Sequence, residues 1–221
     1  MKPLPLALLV TLATAFACAR IYRPVALALP SAPATTGPLA GSLALQPWGD
    51  NSRYEAKARR AGLRVAVLVL ENRSGSDLDV LGLDPPDNVS LIPAEAAASL
   101  VKQHAVAYLL YPLAPGMLIP GASTKGSYGP SDQAAFSALA IVGACIGVPN
   151  ALVAARSNRR LAAFLRESAW APGTLRPGQV VRGLVFIRSR DPHALQTFRL
   201  RYQGGAGPGT LDLACPGMTP P

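Results

Sequence analysis

The sequence predicts a mainly β fold in which two packed sheets carry inserted helices. Short apolar runs of strand length recur along the chain, and clusters of its 22 prolines and 20 glycines separate them, as is typical of strands joined by turns. Half of the residues are apolar and only 15% are charged, which predicts a folded chain. With 221 residues the chain is long enough for one large core.

The first half of the chain alternates strands with short helices. Residues 63–71 are predominantly apolar on both faces of a strand, which predicts that the strand is central in its sheet. Ser52 and Glu55 form a capping-box pattern that begins a helix at 53–61, and Gly62 is the expected stop. The other predicted elements are an edge strand at 43–49, a strand at 77–83 that forms a hairpin with 63–71, a strand at 88–92, a helix at 94–103 and a strand at 105–111.

Residues 133–155 carry no charge and are long enough to span a membrane. A span would place the strands before and after it on opposite sides of the bilayer, where neither group could complete a core. We therefore favour two helices that break at Pro149 and Asn150, an Ala/Gly-rich helical hairpin within an insertion at about 132–170. The hairpin has three open roles: packing on the sheet, self-association through its glycines, or dipping into the bilayer.

Two strands follow the insertion, at 180–188 and 195–203. In the second, Phe198, Leu200 and Tyr202 share one face, while arginines occupy the other. Residues 204–221 are rich in Gly and Pro, and we expect a flexible C-terminal tail there. The predicted β-sandwich domain therefore covers residues 43–203.

Three segments together resemble uncharacterised bacterial envelope lipoproteins with an immunoglobulin-like sandwich. They are the turn Asn72-Arg73-Ser74, the Ala/Gly-rich segment from Ala134 to Ala155, and the run from Leu175 through Pro177-Gly178 to Gly183-Leu184-Val185-Phe186. The resemblance covers about two-thirds of the chain. It implies an immunoglobulin-like β-sandwich with an inserted apolar helical hairpin, and it implies no activity.

The N-terminus has the features of an export signal. Lys2 precedes an uncharged stretch from Leu4 to Phe16, and residues 15–17 end in a small-x-small pattern, so residues 1–17 are predicted to be a signal peptide. Cys18 follows at once, in a position that resembles the lipobox cysteine of bacterial lipoproteins, which carries diacylglycerol and palmitate. Residues 18–42 contain spaced prolines and are predicted to be the lipid-anchor tether. Cleavage without lipidation and an uncleaved anchor remain alternatives.

The other two cysteines, Cys145 and Cys215, form an even pair in a compartment that permits disulfides. A disulfide between them is possible. Cys145 lies in an apolar run, however, where buried free thiols are common.

Composition and spacing argue against several functions. The formal charge of +9 comes from scattered arginines that are not interleaved with aromatic residues, so we expect no nucleic-acid partner. His104 and His193 lack the spacing of metal ligands, and Asp77, Asp79 and Asp84 match no standard calcium loop. We expect no catalytic residues, no metal and no cofactor. The chain does not have the features of an enzyme.

The sequence therefore predicts a non-catalytic, lipid-anchored cell-envelope protein with a structural or assembly role. We expect an outer-membrane lipoprotein that faces the periplasm, with the membrane as partner through its lipid. A homo-oligomer or another envelope protein is the partner expected for the apolar hairpin. The alternative is a soluble periplasmic binding or chaperone-like module that uses a sheet edge or a groove.

Overall fold

The computed structural model describes residues 19–28, 34–109, 130–189, 191 and 196–215. The chain divides into two compact units, one formed by residues 1–22 and 103–160 and the other by residues 23–102 and 161–221. The second unit contains the strands, and it is mainly β with two antiparallel sheets.

The described elements are nine strands and four helices. The strands are β1 (Ala34–Thr36), β2 (Leu39–Leu45), β3 (Leu63–Asn72), β4 (Leu78–Asp84), β5 (Val89–Leu91), β6 (Gly173–Leu175), β7 (Val180–Ser189), β8 (Gln196–Gly204) and β9 (Gly207–Cys215). The helices are α1 (Ser52–Arg60), α2 (Ala94–Val101), α3 (Ala105–Leu109) and α4 (Pro130–Glu167).

Two sheets form the β unit, and every ladder between their strands is antiparallel. The five-stranded sheet has the order β1-β2-β3-β7-β5, and the four-stranded sheet has the order β6-β4-β8-β9. The ladder between β3 and β7 runs from the pair Leu63 and Arg188 to the pair Glu71 and Val180. As predicted, β3 is central, and nearly all of its residues are buried on both faces.

One hydrophobic core lies between the two sheets. Alternate residues of each strand enter it, as the pleat requires. The five-stranded sheet contributes Leu39, Leu43, Ala66, Leu68, Leu70, Val185 and Ile187; the four-stranded sheet contributes Leu78, Val80, Leu83, Leu175, Phe198, Leu200, Tyr202, Leu211, Leu213 and Cys215. The predicted faces of β8 are confirmed, because Arg199 and Arg201 are exposed.

The outer face of the five-stranded sheet is also buried. Val65 pairs with Phe186 and Val67 pairs with Leu184, and all four side chains are nearly inaccessible to solvent. Helix α1 contacts β3 and α2 on this side. An antiparallel sheet covered on both faces explains why β3 has no polar alternation in its sequence.

The strands that precede the uncharged segment pair directly with those that follow it. Strand β3 pairs with β7, and β4 pairs with β8. This confirms that the two groups meet in one core. The predicted hairpin between residues 63–71 and 77–83 is wrong, because β2 and β7 already occupy both edges of β3 and the chain crosses to the other sheet after Asn72.

The Asn72 side chain holds this crossing. Its amide nitrogen donates to the carbonyl oxygens of Ser76 and Leu175, both at 2.8 Å, while its oxygen accepts from the amide and the hydroxyl of Ser74. Asn72 is fully buried, so each of these bonds satisfies a polar atom that would otherwise be costly to bury.

Two local predictions in the first half of the chain are wrong. Helix α1 begins at Ser52 rather than after it, and Asn51 is its N-cap without a side-chain cap bond. The Asn51 side chain is instead bonded to the backbone of Arg23 and Trp48. Residues 105–111 were predicted to be a strand, but Ala105–Leu109 form the short helix α3.

Helix α4 is one continuous helix of 38 residues, where the sequence predicted a hairpin of two. Pro149 lies inside it and removes one backbone donor. Asn150 donates from its side chain to the carbonyl oxygen of Ile146 at 2.9 Å, which adds a hydrogen bond in the same turn. Within the part of the chain that the structure describes, no helix combines the length and the apolarity needed to cross a membrane.

Both predicted flexible ends contain ordered strands. In the tether predicted at 18–42, residues 34–36 form β1, and β2 begins at Leu39 with buried side chains. In the tail predicted at 204–221, Gly207–Cys215 form β9, which pairs along its whole length with β8. Leu211, Leu213 and Cys215 alternate with exposed residues and enter the core, a period-two pattern that the glycines and prolines obscure in the sequence.

Two glycines with left-handed backbone provide a matched test of the packing around the start of β3. Gly62 has φ +64°, and a Cβ there would overlap the Ser189 carbonyl oxygen; Gly178 has φ +71° with nothing within 4 Å. Gly178→Ala should cost about 1 kcal/mol of unfolding free energy for the backbone alone. Gly62→Ala should cost about 2 kcal/mol more, because the overlap is with backbone. Urea denaturation followed by circular dichroism measures both, and equal losses would contradict the expected overlap.

Candidate functional site

The two cysteines that the structure describes have different environments. Cys18 lies outside the described residues. Cys145 is exposed and Cys215 is buried, and both are free thiols in the structure. Cys215 ends β9 inside the sheet core.

Cys215 lies beside a buried arginine. The Arg64 guanidinium donates to the Cys215 Sγ at 3.4 Å, and Arg64 is 1% exposed. Burial raises the pKa of the Cys215 thiol, and the positive charge of Arg64 opposes that shift only in part. Because the thiolate is the reactive form, this cysteine has the properties of a structural thiol rather than a nucleophile.

The carboxylates considered for calcium make structural contacts instead. Asp79 accepts a hydrogen bond from the Thr174 hydroxyl at 2.6 Å across the β4–β6 pair, and Asp84 forms an ion pair with Arg201 at 2.6 Å. His104 is exposed between α2 and α3, and His193 lies outside the described residues. No group of three or more metal-ligating side chains occurs among the described residues.

The residues that follow Cys18 are bound along helix α4. The Ala19 amide donates to the Asn150 side-chain oxygen at 2.9 Å, and the Tyr22 amide donates to the Ser157 hydroxyl at 3.3 Å. The three residue steps from Ala19 to Tyr22 span about 10 Å when extended. The seven steps from Asn150 to Ser157 span about the same distance along the helix axis. The segment therefore runs alongside the helix in matching register.

Gln103 and Asn158 secure the same segment. The Gln103 side chain donates to the Arg20 carbonyl oxygen and accepts from the Arg20 amide, which is the pairing that a neighbouring strand would provide. The Gln103 backbone is in turn bonded on both sides to the Asn158 side chain, at 2.8 Å each. Two side-chain amides, Asn150 and Gln103, together with the Ser157 hydroxyl thus bind the backbone of residues 19–22.

Between residues 145 and 160, the face of α4 opposite this segment is exposed and changes from uncharged to basic. The buried positions of the helix in that range are Gly147, Ala151, Ala154 and Ser157. Its exposed positions recur every three or four residues and form one stripe: Cys145, Val148, Pro149, Leu152, Arg156, Arg159 and Arg160. We call this stripe the apolar–basic face. Its first four residues are uncharged, and its last three are arginines.

A second surface feature is a groove of about 720 Å³ at one end of the five-stranded sheet, which we call the arginine groove. It is lined by the C-terminal end of α1, the beginning of β5 and the end of β7, and it includes Arg59, Arg60, Asp87, Ser90 and Arg188. Among the described residues no carboxylate lies within ion-pair distance of Arg59, Arg60 or Arg188.

The fold positions these arginines through Gly62. The positive φ of Gly62 turns the chain sharply from α1 into β3, and the Ser189 amide donates to the Gly62 carbonyl oxygen at 3.0 Å. Ser90 pairs with Arg188 across the β5–β7 ladder. Lys57, which adjoins Arg59 and Arg60 in sequence, donates instead to the Lys102 carbonyl oxygen, and burial lowers its pKa.

No family model, no curated protein and no solved structure matches this chain. The sequence analysis took the arginines as scattered, although Lys57-Arg59-Arg60 and Arg156-Arg159-Arg160 are dense basic groups. The helical spacing of Val148, Leu152 and Arg156 was the signal that could have revealed the apolar–basic face. Arg188 carries no comparable signal, because only strand pairing brings it to the groove.

The two thiols should differ strongly in reactivity. In a Cys18→Ser protein, Cys145 should react with Ellman's reagent within seconds at pH 8, whereas Cys215 should react only after unfolding, because burial both blocks access and raises its pKa. Counting released thiolate with and without urea measures this, and Cys145→Ser should remove the fast phase alone. Two fast thiols in the native protein would contradict the placement of Cys215 in the core.

Proposed function

We propose that this chain is a non-catalytic, lipid-anchored protein of the bacterial cell envelope with a structural or assembly role. The signal-peptide pattern at 1–17 and the cysteine at position 18 support the anchor. The observation that carries the proposal is that the segment from Ala19 to Tyr22 is hydrogen-bonded along α4, through Asn150 and Ser157. Because the described segment 19–22 is bound to the protein, a lipid on the preceding cysteine would be attached through only a short stretch of chain.

We propose an immunoglobulin-like arrangement for the β unit. The constant-type domain has strands A, B, E and D in one sheet and C, F and G in the other. Taking β2, β3, β4, β5, β7, β8 and β9 as A to G reproduces both orders, β2-β3-β7-β5 and β4-β8-β9. In that scheme α4 is an insertion between strands D and E. This agreement supports the resemblance to envelope lipoproteins with an inserted helical element.

The proposed location is the outer membrane, with the protein facing the periplasm. A structural role is supported by the way polar side chains are used: Asn72, Gln103 and Asn51 each hold backbone in place. The exposed carboxylates Asp79 and Asp84 are bonded to Thr174 and Arg201. These contacts are of the kind that stabilise a scaffold, which supports a structural role.

Metabolic labelling tests the anchor directly. Cells that express the full chain should incorporate palmitate into it, globomycin should cause the precursor to accumulate, and Cys18→Ser should abolish the label and release the protein from the membrane fraction. Cys145→Ser is the matched control and should leave labelling unchanged. Normal palmitate incorporation in the Cys18→Ser protein would contradict the proposal.

The arginine groove favours a second function, a periplasmic binding module for anionic ligands. Three arginines around one groove, which form no ion pair with any carboxylate that the structure describes, offer several donors to a phosphate or carboxylate group, and charge-assisted bonds of this kind are strong. Asp87 and Ser90 line the same groove and add an acceptor and a hydroxyl that would restrict which anion fits.

Titration calorimetry with inorganic pyrophosphate tests this second function. The Cys18→Ser protein should bind the probe, and Arg59→Gln combined with Arg188→Gln should weaken binding at least about tenfold, because two charge-assisted contacts are lost. Arg182→Gln, on the same strand as Arg188 but outside the groove, should change affinity by less than about twofold. Equal weakening by the control would show that only the net charge attracts the probe.

A further inference from the structure

We propose that the apolar–basic face of α4 rests on the bilayer that carries the Cys18 lipid, with its uncharged part in the acyl region and its arginines among anionic headgroups. This inference builds on the proposed lipid anchor and adds a protein surface that contacts the same membrane. The occupant to which the proposal commits is a lipid surface with negative charge.

The uncharged part of the apolar–basic face is open to solvent. Val148 and Leu152 lie one turn apart on α4 and are 47% and 54% exposed. Of the seven large apolar side chains that are exposed in the described part of the chain, five lie in the unit formed by residues 1–22 and 103–160. Only Val148 and Leu152 of these five are on the apolar–basic face, where together they form a local apolar patch.

Along α4 an uncharged stretch is followed by a basic one. Residues 133–155 contain no charged side chain, and Arg156, Arg159 and Arg160 follow immediately. No carboxylate of the described residues forms an ion pair with these three arginines. Long arginine side chains at the boundary of an apolar helix extend to the headgroup level, where anionic lipids attract them.

The segment that follows Cys18 in the sequence runs along α4 toward its uncharged part. From Tyr22 to Ala19 it moves from Ser157 to Asn150, which is away from the arginines. Ala19, the residue next to Cys18 in the sequence, therefore lies at the level of the uncharged part of the helix.

The proposed membrane contact has two components, the lipid and the apolar–basic face. A single acyl group holds a protein only weakly at a membrane, and stable binding needs a second signal such as further acyl chains or a basic patch. The apolar–basic face supplies both apolar area and positive charge on the unit whose N-terminal segment follows Cys18. It would fix the orientation of the unit at the bilayer, which a lipid on an unstructured tether cannot do.

Vesicle binding by the Cys18→Ser protein tests this contact without the lipid anchor. The protein should co-sediment with vesicles of phosphatidylglycerol and phosphatidylcholine and much less with phosphatidylcholine alone. Val148→Ser with Leu152→Ser should lower partitioning about tenfold. Arg156→Gln, Arg159→Gln and Arg160→Gln together should lower it at least about tenfold and remove its salt dependence.

Matched controls come from the β unit. Leu81 and Val180 are each 49% exposed, so Leu81→Ser with Val180→Ser removes comparable apolar surface and should leave partitioning unchanged. Arg176→Gln, Arg182→Gln and Arg199→Gln remove the same charge from that unit and should have little effect. Circular dichroism and urea midpoints confirm that each variant is folded.

Two results would overturn the inference. One is equal loss of binding in the control variants, which would indicate general adsorption of a basic protein. The other is an absence of vesicle binding together with a dimer that Val148→Ser and Leu152→Ser dissociate, which would assign the face to a second copy of the chain. Neither result bears on palmitate labelling of Cys18, so failure of this contact and failure of the anchor are distinguishable.

Discussion

The ladder between β3 and β7 is the constraint on which the rest of the β unit depends. It joins residues more than a hundred positions apart in the sequence and places the buried faces of both strands in register, from Leu63 and Arg188 to Glu71 and Val180. A shift of one residue would turn Val185 and Ile187 out of the core. Because the ladder closes around the whole inserted segment, the insertion is free to vary while the core is retained, at a modest entropic cost for its length.

The strands that could be predicted are those whose burial is visible in their own residues. Strand β3 has an unbroken apolar sequence, and in β8 Phe198 and Leu200 alternate with arginines, so local pattern was sufficient. Strand β9 was not predicted, because Gly207, Pro208 and Gly209 come before its alternating apolar residues and have the composition of a flexible tail. Its place is set by pairing with β8, a non-local interaction that no window of the sequence contains.

The candidate sites were harder to predict, for a related physical reason. The arginine groove is lined by residues of α1, β5 and β7. Arg188 lies in it only because β7 pairs with β5, where Ser90 is the partner of Arg188. The hydrogen bonds of Ala19 to Asn150 and of Tyr22 to Ser157 likewise join residues whose numbers differ by 131 and 135. A proline-containing segment was therefore interpreted as a tether, although side-chain amides supply the backbone partners that a strand would otherwise provide.

Holding the N-terminal segment against α4 has a mechanical consequence. A flexible tether would let the protein sample many orientations at a membrane, and each contact would then have to offset that entropy. With Arg20 bonded to Gln103, and Gln103 bonded to Asn158, that entropy is lost during folding rather than on contact with lipid. If Cys18 carries the proposed lipid, weak contributions from half-exposed apolar side chains and a few arginines would then suffice for the proposed contact, because the lipid would keep their local concentration high. The same logic explains why the apolar–basic face need not be large.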